Sequence, residues 1–324
     1  MKIAMISSWH VHARDYAKQI LNLPGCEIVA VWDENKMIGE KWASELKCAF
    51  IEDYDMLLQD TSIDSVVINS PTVKHTELII KAANAKKHIF TEKVLAIKLQ
   101  DCMAIKEAIE RNNVKFSISF VHKCKAEMIF AKEMVENGTL GDITYARVRN
   151  AHNGSTANWL PESFYHKENC GGGAMIDLGA HTGYLLEWIL GAAKNVTATF
   201  TSVTNRGVED NAVALIEFQN GAIGVAETSF VSIYTPLTLE ISGTKGSLLV
   251  RDDARYATVD TDGKWVVAEN LPDALPSPLA QWVQGVTENK EIAIGIGEAI
   301  GLTRLMQAMY ESQESRQKVD LNYI

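Results

Sequence analysis

The stretch KIAMISSWHVHARDYAKQILNL, Lys2 to Leu23, joins a short apolar run to a helical pattern through a turn. The run KIAMIS predicts a buried strand, because most of its residues are apolar. The segment ARDYAKQILNL predicts an amphipathic helix that ends before Pro24-Gly25, since proline and glycine interrupt helices. A strand that leads through a tight turn into a helix begins a βαβ unit, so this stretch predicts a parallel sheet covered by helices.

The same alternation continues through the first third of the chain. Further strands are predicted at EIVAVWD, CAFI, SVVINS, KHIFT and VKFSISF, and amphipathic stretches such as HTELIIKAANA and AIKLQDCMAIKEAIERN lie between them. Apolar strands that alternate with amphipathic helices are typical of parallel sheets with both faces covered. Residues 1–121 are therefore predicted to form a doubly wound, dinucleotide-binding Rossmann domain.

After Phe120 the pattern changes to one helix, AEMIFAKEMVENG, followed by long β-rich runs with turns at Asn220-Gly221 and Asp262-Gly263. Strands at this spacing predict a second α/β domain over residues 122–324, with a large open, mostly antiparallel sheet. The few helices can cover only one face of such a sheet. The other face is expected to meet a second copy of the chain, so a homo-oligomer is predicted.

Composition narrows the class of ligand. The chain has 324 residues and a formal net charge of −10, and this acidity argues against nucleic acid and anionic membrane surfaces as partners. A small molecule is the expected ligand. The start MKIAMIS enters a strand pattern without the features of a signal peptide, and no apolar run approaches the roughly 18 residues of a membrane span. A cytoplasmic location is therefore expected.

The turn between the first strand and the first helix contains no glycine. Turns at this place in nucleotide-binding proteins are usually rich in glycine, because the backbone comes close to a pyrophosphate. The helix that begins near Ala13 still offers backbone N–H groups and a positive dipole end to a phosphate. Ser7, Ser8 and His12 can add donors that a glycine turn lacks. Trp9 obstructs the approach of a phosphate unless its ring swings out, lies beside the dinucleotide and covers it.

Asp33 ends the second predicted strand, about 20 positions after the turn, which is the interval expected for the acid that binds the adenosine ribose. A carboxylate accepts hydrogen bonds from ribose hydroxyls and repels a 2′-phosphate. The sequence therefore predicts NAD as the cofactor rather than NADP. The alternative interpretation is a polar strand end of the kind found in any sheet protein.

Two further stretches carry acid–base residues. TEKV, Thr91 to Val94, closes the fifth strand at the carboxyl edge of the predicted sheet, where open α/β sheets bind ligands.

In GGGAMIDLGAHTGYLLEWILG, Gly171 to Gly191, Asp177 and His181 lie four residues apart and thus on one helix face. Histidine beside a carboxylate suits proton transfer near neutral pH. The three glycines are expected to let a substrate or the neighbouring domain approach the backbone. The alternatives are an exposed ion pair at TEKV and a surface hydrogen bond on the helix.

Several histidines have no metal-site spacing. No cluster of carboxylates or cysteines completes a ligand set around them, so no metal is predicted. The histidines concerned are His10, His12, His75 and His166.

Taken together, these motifs resemble the Gfo/Idh/MocA family of NAD(P)-dependent oxidoreductases along nearly the whole chain. The resemblance is carried by IDSVVINSPTVKHTELIIKAANAKKHIFTEKVLAIKL, MVENGTLGDI, GGGAMIDLGAH, FQNGAIGVAETSF and EISGTKGSLLV, which occur in the family's order. It implies an amino-terminal Rossmann domain, a carboxy-terminal α/β domain with a large open sheet, and a homodimer or homotetramer.

The resemblance also implies roles for individual residues. Lys93 corresponds to the family's catalytic lysine, Asp177 to its substrate-binding aspartate and His181 to its catalytic histidine. The implied reaction is hydride transfer between a sugar or cyclitol carbon and the nicotinamide, with His181 and Lys93 handling the hydroxyl proton. The predicted cofactor-binding residues lie at strand ends and turns: Ser7, Ser8, Trp9, His10, His12, Asp33, Ser70, Pro71, His75, Glu92 and Lys93.

The chain differs from the family pattern at three places. Ser7, Trp9 and His12 stand at the glycine positions of the dinucleotide turn, and Val94 replaces the proline of the Glu-Lys-Pro motif. Tyr184 stands where many members have an acidic residue, three positions after the histidine. Two alternatives to a dehydrogenase therefore remain: an NAD-dependent glycosidase that works by transient oxidation, and a non-catalytic sugar or cofactor sensor.

Overall fold

The computed structural model describes residues 1–321, which divide into two units. The first unit consists of Met1–Ser119 together with Pro276–Ile300, and the second of Phe120–Leu275 together with the chain from Gly301 onwards. The predicted boundary between residues 121 and 122 lies close to the first crossing. It assigned Pro276–Ile300 to the second domain, however, whereas in the structure this segment belongs to the first unit.

The first unit alternates strands and helices as predicted. Its elements are β1 (Lys2–Ile6), α1 (Ala13–Leu21), β2 (Glu27–Trp32), α2 (Lys36–Leu46), β3 (Ala49–Phe50), α3 (Tyr54–Gln59), β4 (Ser65–Ile68), α4 (Thr72–Asn84), β5 (His88–Thr91), α5 (Leu99–Asn112) and β6 (Phe116–Ile118). The strands form one sheet in the order β3-β2-β1-β4-β5-β6, and all its neighbours pair in parallel. This is the doubly wound Rossmann order, which confirms the predicted fold class.

The returning segment Pro276–Ile300 joins the core of this unit through a helix. Leu279, Trp282 and Val283 on that helix are buried in the same cluster as Tyr16 and Phe90. The rings of Trp282 and Phe90 lie 5.8 Å apart between centroids. Burying a side chain of this size stabilises the fold by about 2–3 kcal/mol, which explains why the helix packs here.

The second unit contains the remaining described elements. They are α6 (Ala126–Glu136), β7 (Ile143–Ala151), α7 (Lys167–Cys170), α8 (Ala174–Leu190), β8 (Ala193–Thr201), β9 (Asn211–Phe218), β10 (Ile223–Ser229), β11 (Thr238–Gly243), β12 (Gly246–Val250), β13 (Ala254–Thr258), β14 (Val266–Val267) and β15 (Val319–Asp320). The helix of the returning segment is α9 (Pro278–Thr287), and α10 (Ile296–Ser315) precedes β15. Short 3-10 helices cover Val121–Cys124, Glu162–Tyr165 and Val259–Thr261.

The nine strands of the second unit form one sheet in the order β14-β13-β12-β11-β7-β10-β9-β8-β15. All neighbours are antiparallel except β7 and β10, which pair in parallel. The predicted turn at Asn220-Gly221 joins β9 to β10, where Gly221 takes a positive φ of 88°. The sheet is therefore large and mostly antiparallel, as predicted.

Helix α8 covers one face of this sheet, across β7, β9 and β10. On the opposite face, apolar side chains are exposed on neighbouring strands, among them Val213, Leu215 and Ile223. We call this surface of β7, β9 and β10 the open face. Within residues 1–321, no helix is both long enough and apolar enough to cross a bilayer.

Candidate cofactor and substrate sites

The turn after β1 keeps a glycine-like backbone without glycine. Ser7 has a φ of +64°, in the left-handed region that glycine adopts most easily. Its hydroxyl donates to the Glu34 carboxylate at 2.5 Å and accepts the Trp9 N–H at 3.2 Å. The serine side chain thus fixes the turn from within, at the first of the three positions where the family pattern has glycine.

Asp33 follows β2 and its carboxylate reaches the same turn. One carboxylate oxygen accepts the Ser8 N–H at 2.9 Å and the Ser8 hydroxyl at 2.8 Å. The other accepts the Asn35 N–H at 2.9 Å. The structure therefore brings Asp33 into contact with Ser8 in the turn, and the binding of a ribose by Asp33 stays a prediction.

The second half of the turn contacts a buried carboxylate. The Nδ1 atom of His10 lies 3.6 Å from Glu92, which is only 2% exposed, and the Glu92 carboxylate also accepts the hydroxyl of Tyr16. Burial alone would raise the pKa of Glu92, but the charges of His10, Lys93 and His12 lower it on balance. Glu92 is thus ionised, and its carboxylate holds the turn through the contact with His10. No motif in the sequence indicated a role for Tyr16, whose hydroxyl is also 2.6 Å from that of Ser119.

His75 connects the ends of β4 and β5. Its ring is buried, with Nδ1 at 2.9 Å from the Val94 carbonyl oxygen and Nε2 at 3.1 Å from the Ser70 carbonyl oxygen. Burial lowers its pKa, so the ring is neutral near pH 7 and donates to one of the two carbonyls. The Lys93–Val94 peptide bond is cis, and Lys93 is largely buried. His75 therefore positions the predicted Lys93 segment instead of pointing to solvent.

Polar groups at these strand ends fit a dinucleotide. The Asn69 side-chain oxygen and the Ser70 hydroxyl, which follow β4, are buried without a hydrogen-bond partner. Buried groups of this kind usually have one. Pro71 is the N-cap residue of α4 and His12 that of α1, and neither makes a side-chain cap hydrogen bond. Donors and acceptors at the carboxyl edge of a parallel sheet are what a bound nucleotide would satisfy.

Two of the three glycines before α8 leave space for side-chain and backbone atoms of the second unit. A Cβ atom on Gly172 would lie 1.9 Å from the Tyr310 hydroxyl, and one on Gly173 would lie 2.1 Å from the Glu209 carbonyl oxygen. The Glu209 carboxylate accepts the N–H groups of Gly173 at 2.8 Å and Met175 at 3.1 Å. Gly172 and Gly173 therefore leave space for Tyr310 and Glu209 of the same unit, and the Glu209 carboxylate caps the helix. The approach of a substrate or of the other domain to these glycines stays a prediction.

Helix α8 presents Asp177 and His181 one turn apart, as predicted. His181 is 9% exposed, and its Nδ1 lies 3.0 Å from the Tyr184 hydroxyl. The His122 ring meets the His181 ring edge to face at 4.7 Å. His181 of the predicted pair thus contacts the phenol of Tyr184 and the imidazole of His122, and the helical spacing alone did not predict these neighbours.

His152 and Trp159 add a surface that sequence reasoning missed. The His152 ring stacks on Phe230 at 5.1 Å and contacts the Trp159 ring at 4.5 Å. Its Nδ1 accepts the Gly154 N–H at 3.0 Å, so in the neutral ring the proton is on Nε2. Burial lowers the pKa of His152, while the nearby charge of Asp177 raises it. Trp159, which is 55% exposed, therefore lies next to a histidine whose pKa is raised by the charge of Asp177.

The predicted residues thus form two groups. The first unit brings together the turn Ser7–His12, Asp33, the Ser70–His75 segment and Glu92–Lys93, and the second holds Asp177 and His181. Within residues 1–321, no three histidine, cysteine, aspartate or glutamate side chains are grouped as a metal site requires.

Family models match both parts of the chain. The model described as "Oxidoreductase family, NAD-binding Rossmann fold" matches residues 1–120, and the "GFO/IDH/MocA C-terminal domain" matches residues 128–249. The first unit is thus an NAD-binding Rossmann domain.

Known proteins are similar over most of the chain. The scyllo-inositol 2-dehydrogenase (NAD(+)) of Bacillus subtilis (strain 168) is 30% identical over 249 residues, covering 74% of this chain and 70% of the relative. The uncharacterized oxidoreductase YrbE of the same organism is 26% identical over 314 residues, covering 92% and 90%. A levoglucosan dehydrogenase solved with NADH and levoglucosan is 20% identical, covers 100% of both chains and has a TM-score of 0.88.

Proposed function

The chain belongs to the Gfo/Idh/MocA family of oxidoreductases, and on that premise we propose that it is an NAD-dependent dehydrogenase of a sugar, a cyclitol or a related polyol. The observation that carries the proposal is the pair Asp177 and His181, one turn apart on α8 beside aromatic side chains. The name of the similar scyllo-inositol dehydrogenase supports the substrate class.

The first unit supplies the cofactor contacts in this proposal. Asp33 accepts the adenosine ribose hydroxyls, and the turn Ser7–His12 with the start of α1 holds the pyrophosphate. When bound, NAD⁺ accepts a hydride from the substrate carbon. Asn69 and Ser70, with buried unpartnered oxygens, contact the nucleotide. Trp9 lies beside it.

The proposed catalytic groups are Lys93, which handles the hydroxyl proton, and His181. Lys93 is largely buried and directly follows Glu92 at the end of β5, and a lysine amine is one of the groups that serve in general acid–base catalysis. His181 contacts the reacting oxygen. Asp177 accepts hydrogen bonds from neighbouring hydroxyls and so orients the ring of the substrate.

The surface of His152 and Trp159 fits a ring with both apolar and hydroxyl edges. The indole of Trp159 offers a flat apolar face for C–H groups, and the Nε2–H of His152 offers a donor for a hydroxyl. Asp177, whose charge raises the pKa of His152 against the effect of burial, offers a carboxylate as an acceptor for a hydroxyl. These groups favour a polyol over a purely apolar substrate.

The oligomer is also part of the proposal. The open face carries exposed Val213, Leu215 and Ile223 beside Arg147, whose guanidinium donates to Glu227 at 2.8 and 2.9 Å. An apolar centre with flanking opposite charges suits the self-complementary contact of a two-fold dimer. A cytoplasmic location stays a prediction from the sequence.

The test uses NAD⁺ with scyllo-inositol and with levoglucosan, and follows absorbance of NADH. With a substrate that is turned over, His181→Ala and Lys93→Met should each lower kcat by about 10²–10⁴, the range for loss of an acid–base group or of a donor to a developing negative charge. His166→Ala, which changes an exposed histidine paired with Glu168, is the matched control and should leave kcat unchanged.

Binding of NADH is measured separately by calorimetry and should survive His181→Ala. Normal turnover in both the Lys93 and the His181 variants would show that the assigned acid–base groups are wrong. NADH binding without turnover of any polyol would instead favour the sensor alternative.

A further inference from the structure

Tyr184 lies directly between His181 and the backbone at the start of the second unit. Its ring is 3% exposed and stacks on Phe120 at 4.3 Å with an angle of 14° between the rings. The stack holds the phenol in one orientation. Its hydroxyl lies 3.0 Å from Nδ1 of His181 and accepts the N–H of His122 at 3.1 Å.

Neutral His181 has one ring N–H, and the direction of its hydrogen bond with Tyr184 decides which ring nitrogen carries that proton. A backbone N–H can only donate, so the phenol oxygen uses one lone pair to accept from His122. The same hydroxyl has its own proton, and Nδ1 of His181 lies within hydrogen-bond distance of it. Donation from the hydroxyl to Nδ1 places the proton of the neutral imidazole on Nε2.

An acidic residue at this position would have the opposite effect. A carboxylate accepts and does not donate, so it would hold the proton on Nδ1 and leave a lone pair on Nε2. The chain carries tyrosine at the position where the family pattern often has an acid. The replacement therefore changes what the neutral ring offers at its outer nitrogen, from an acceptor to a donor.

We infer that Tyr184 is a positioning residue that holds His181 in the Nε2–H tautomer. In this form neutral His181 donates a hydrogen bond to the substrate oxygen and stabilises the negative charge that develops there. The part about the substrate rests on the proposed function, whereas the hydrogen bond and the tautomer do not.

The test is the ¹⁵N spectrum of the imidazole rings in the whole protein, labelled at its eight histidines and recorded near pH 8 without ligand. His181→Gln identifies the resonances of His181 by their loss. The expected result in the unaltered protein is one Nε2–H tautomer for His181. An Nδ1–H tautomer would overturn the inference, whatever the catalytic activity of the protein.

Tyr184→Phe then removes the hydroxyl and keeps the ring. The two nitrogen resonances of His181 should shift towards each other, because the ring exchanges between tautomers. His152 is an internal control: its tautomer depends on the Gly154 N–H and should not change. Phe120→Leu disturbs the stack but keeps the hydroxyl and should retain the Nε2–H form. An unchanged His181 spectrum in Tyr184→Phe would also overturn the inference.

Because these spectra need no substrate, they separate the two proposals. Loss of the expected tautomer refutes the role of Tyr184 only. Failure to oxidise any polyol, with the tautomer as expected, refutes the dehydrogenase proposal only.

Discussion

At the residue scale, the dinucleotide turn shows how side chains can replace glycine. The left-handed backbone of Ser7 costs about 1–2 kcal/mol for a residue with a Cβ atom. Its hydroxyl makes two hydrogen bonds, to Glu34 and from Trp9, each worth about 0.5–1.5 kcal/mol. The two effects are of similar size, so serine is tolerated where the family pattern has glycine.

Asp33 is expected to set the choice between NADH and NADPH. In Asp33→Asn the side-chain oxygen can still accept from Ser8, but the negative charge that repels a 2′-phosphate is gone. We expect NADH to bind more tightly than NADPH to the unaltered protein, and the variant to narrow that difference by about 1–3 kcal/mol. Calorimetry with both cofactors measures the difference.

Glu34→Gln is the control for Asp33→Asn, because it neutralises the adjacent carboxylate that Ser7 contacts. It should preserve the preference for NADH. Equal affinities of the unaltered protein for the two cofactors would contradict the assignment of Asp33.

Trp9 is expected to report cofactor binding. If the indole lies beside the dinucleotide, energy transfer to the reduced nicotinamide should quench its emission. Titration with NADH should therefore quench tryptophan fluorescence with saturation, and Trp9→Phe should remove a measurable share while binding persists. Trp265→Phe, at an exposed position of the second unit, should leave the quenching unchanged.

No saturable quenching, together with no heat of binding at millimolar NADH, would mean that the indole fills the cofactor site. Trp9→Gly would then be the change expected to restore affinity, because it frees the space above the turn.

At the element scale, α8 is held by contacts that its own sequence does not supply. Its N-cap is Gly173, which has no side chain, and Glu209 from the loop before β9 accepts the first N–H groups instead. Loss of a helix cap costs about 1 kcal/mol. Further along the same helix, Glu187 is partly buried, and its carboxylate and the Arg304 guanidinium of α10 both lie next to Gly301. The helix that carries Asp177 and His181 is thus fixed at its start and near its end.

Glu187 should make stability depend on pH. Burial raises its pKa to about 7, against the opposing charge of Arg304. Because the folded state holds this proton more tightly than the unfolded state, the unfolding free energy should fall as pH rises from about 4.5 to about 7. Glu187→Gln removes this dependence, so the variant should gain about 2–3 kcal/mol relative to the unaltered protein between pH 5 and pH 8.

Urea unfolding at both pH values measures this change. Glu311→Gln, at an exposed position on α10, is the control and should show no such gain. A difference between Glu187→Gln and the unaltered protein that stays constant from pH 5 to pH 8 would contradict the raised pKa.

At the scale of the whole molecule, the open face is the surface that we expect to bind a partner. Strand β9 alternates strictly, so that Ala212, Ala214 and Ile216 are buried on the α8 side while Val213 and Leu215 are exposed. Contiguous exposed apolar side chains on a soluble protein commonly mark an interface. A second copy of this chain is the proposed occupant.

Leu215→Glu should therefore separate the proposed dimer. A charge placed in a dry interface costs about 3 kcal/mol or more, which weakens association roughly a hundredfold. Analytical ultracentrifugation should show the mass of the dimer for the unaltered protein and that of the monomer for the variant. Leu21→Glu makes the same change at an exposed site of α1 and should leave the dimer intact. A monomeric unaltered protein would refute the interface.

The sequence by itself determined the local elements and the doubly wound class of the first sheet. Alternating apolar runs and amphipathic helices leave few topologies for residues 1–121, because right-handed crossovers and buried parallel strands are strongly favoured. The four-residue spacing placed Asp177 and His181 on one helix face, and Asn220-Gly221 indicated a hairpin. These features depend on periodicity and backbone sterics, which neighbouring residues control.

Only the tertiary structure decided which elements and side chains meet over long sequence distances. The amphipathic pattern of α9 requires an apolar surface but does not specify which one, and the Tyr16–Phe90 core proved to be that surface. Hairpin signals describe neighbouring antiparallel strands, so they could not predict the parallel pair of β7 and β10. The cap from Glu209 and the Tyr184 hydroxyl on His181 likewise depend on packing, because a hydrogen bond needs an atom within about 3 Å and sequence spacing does not supply that position.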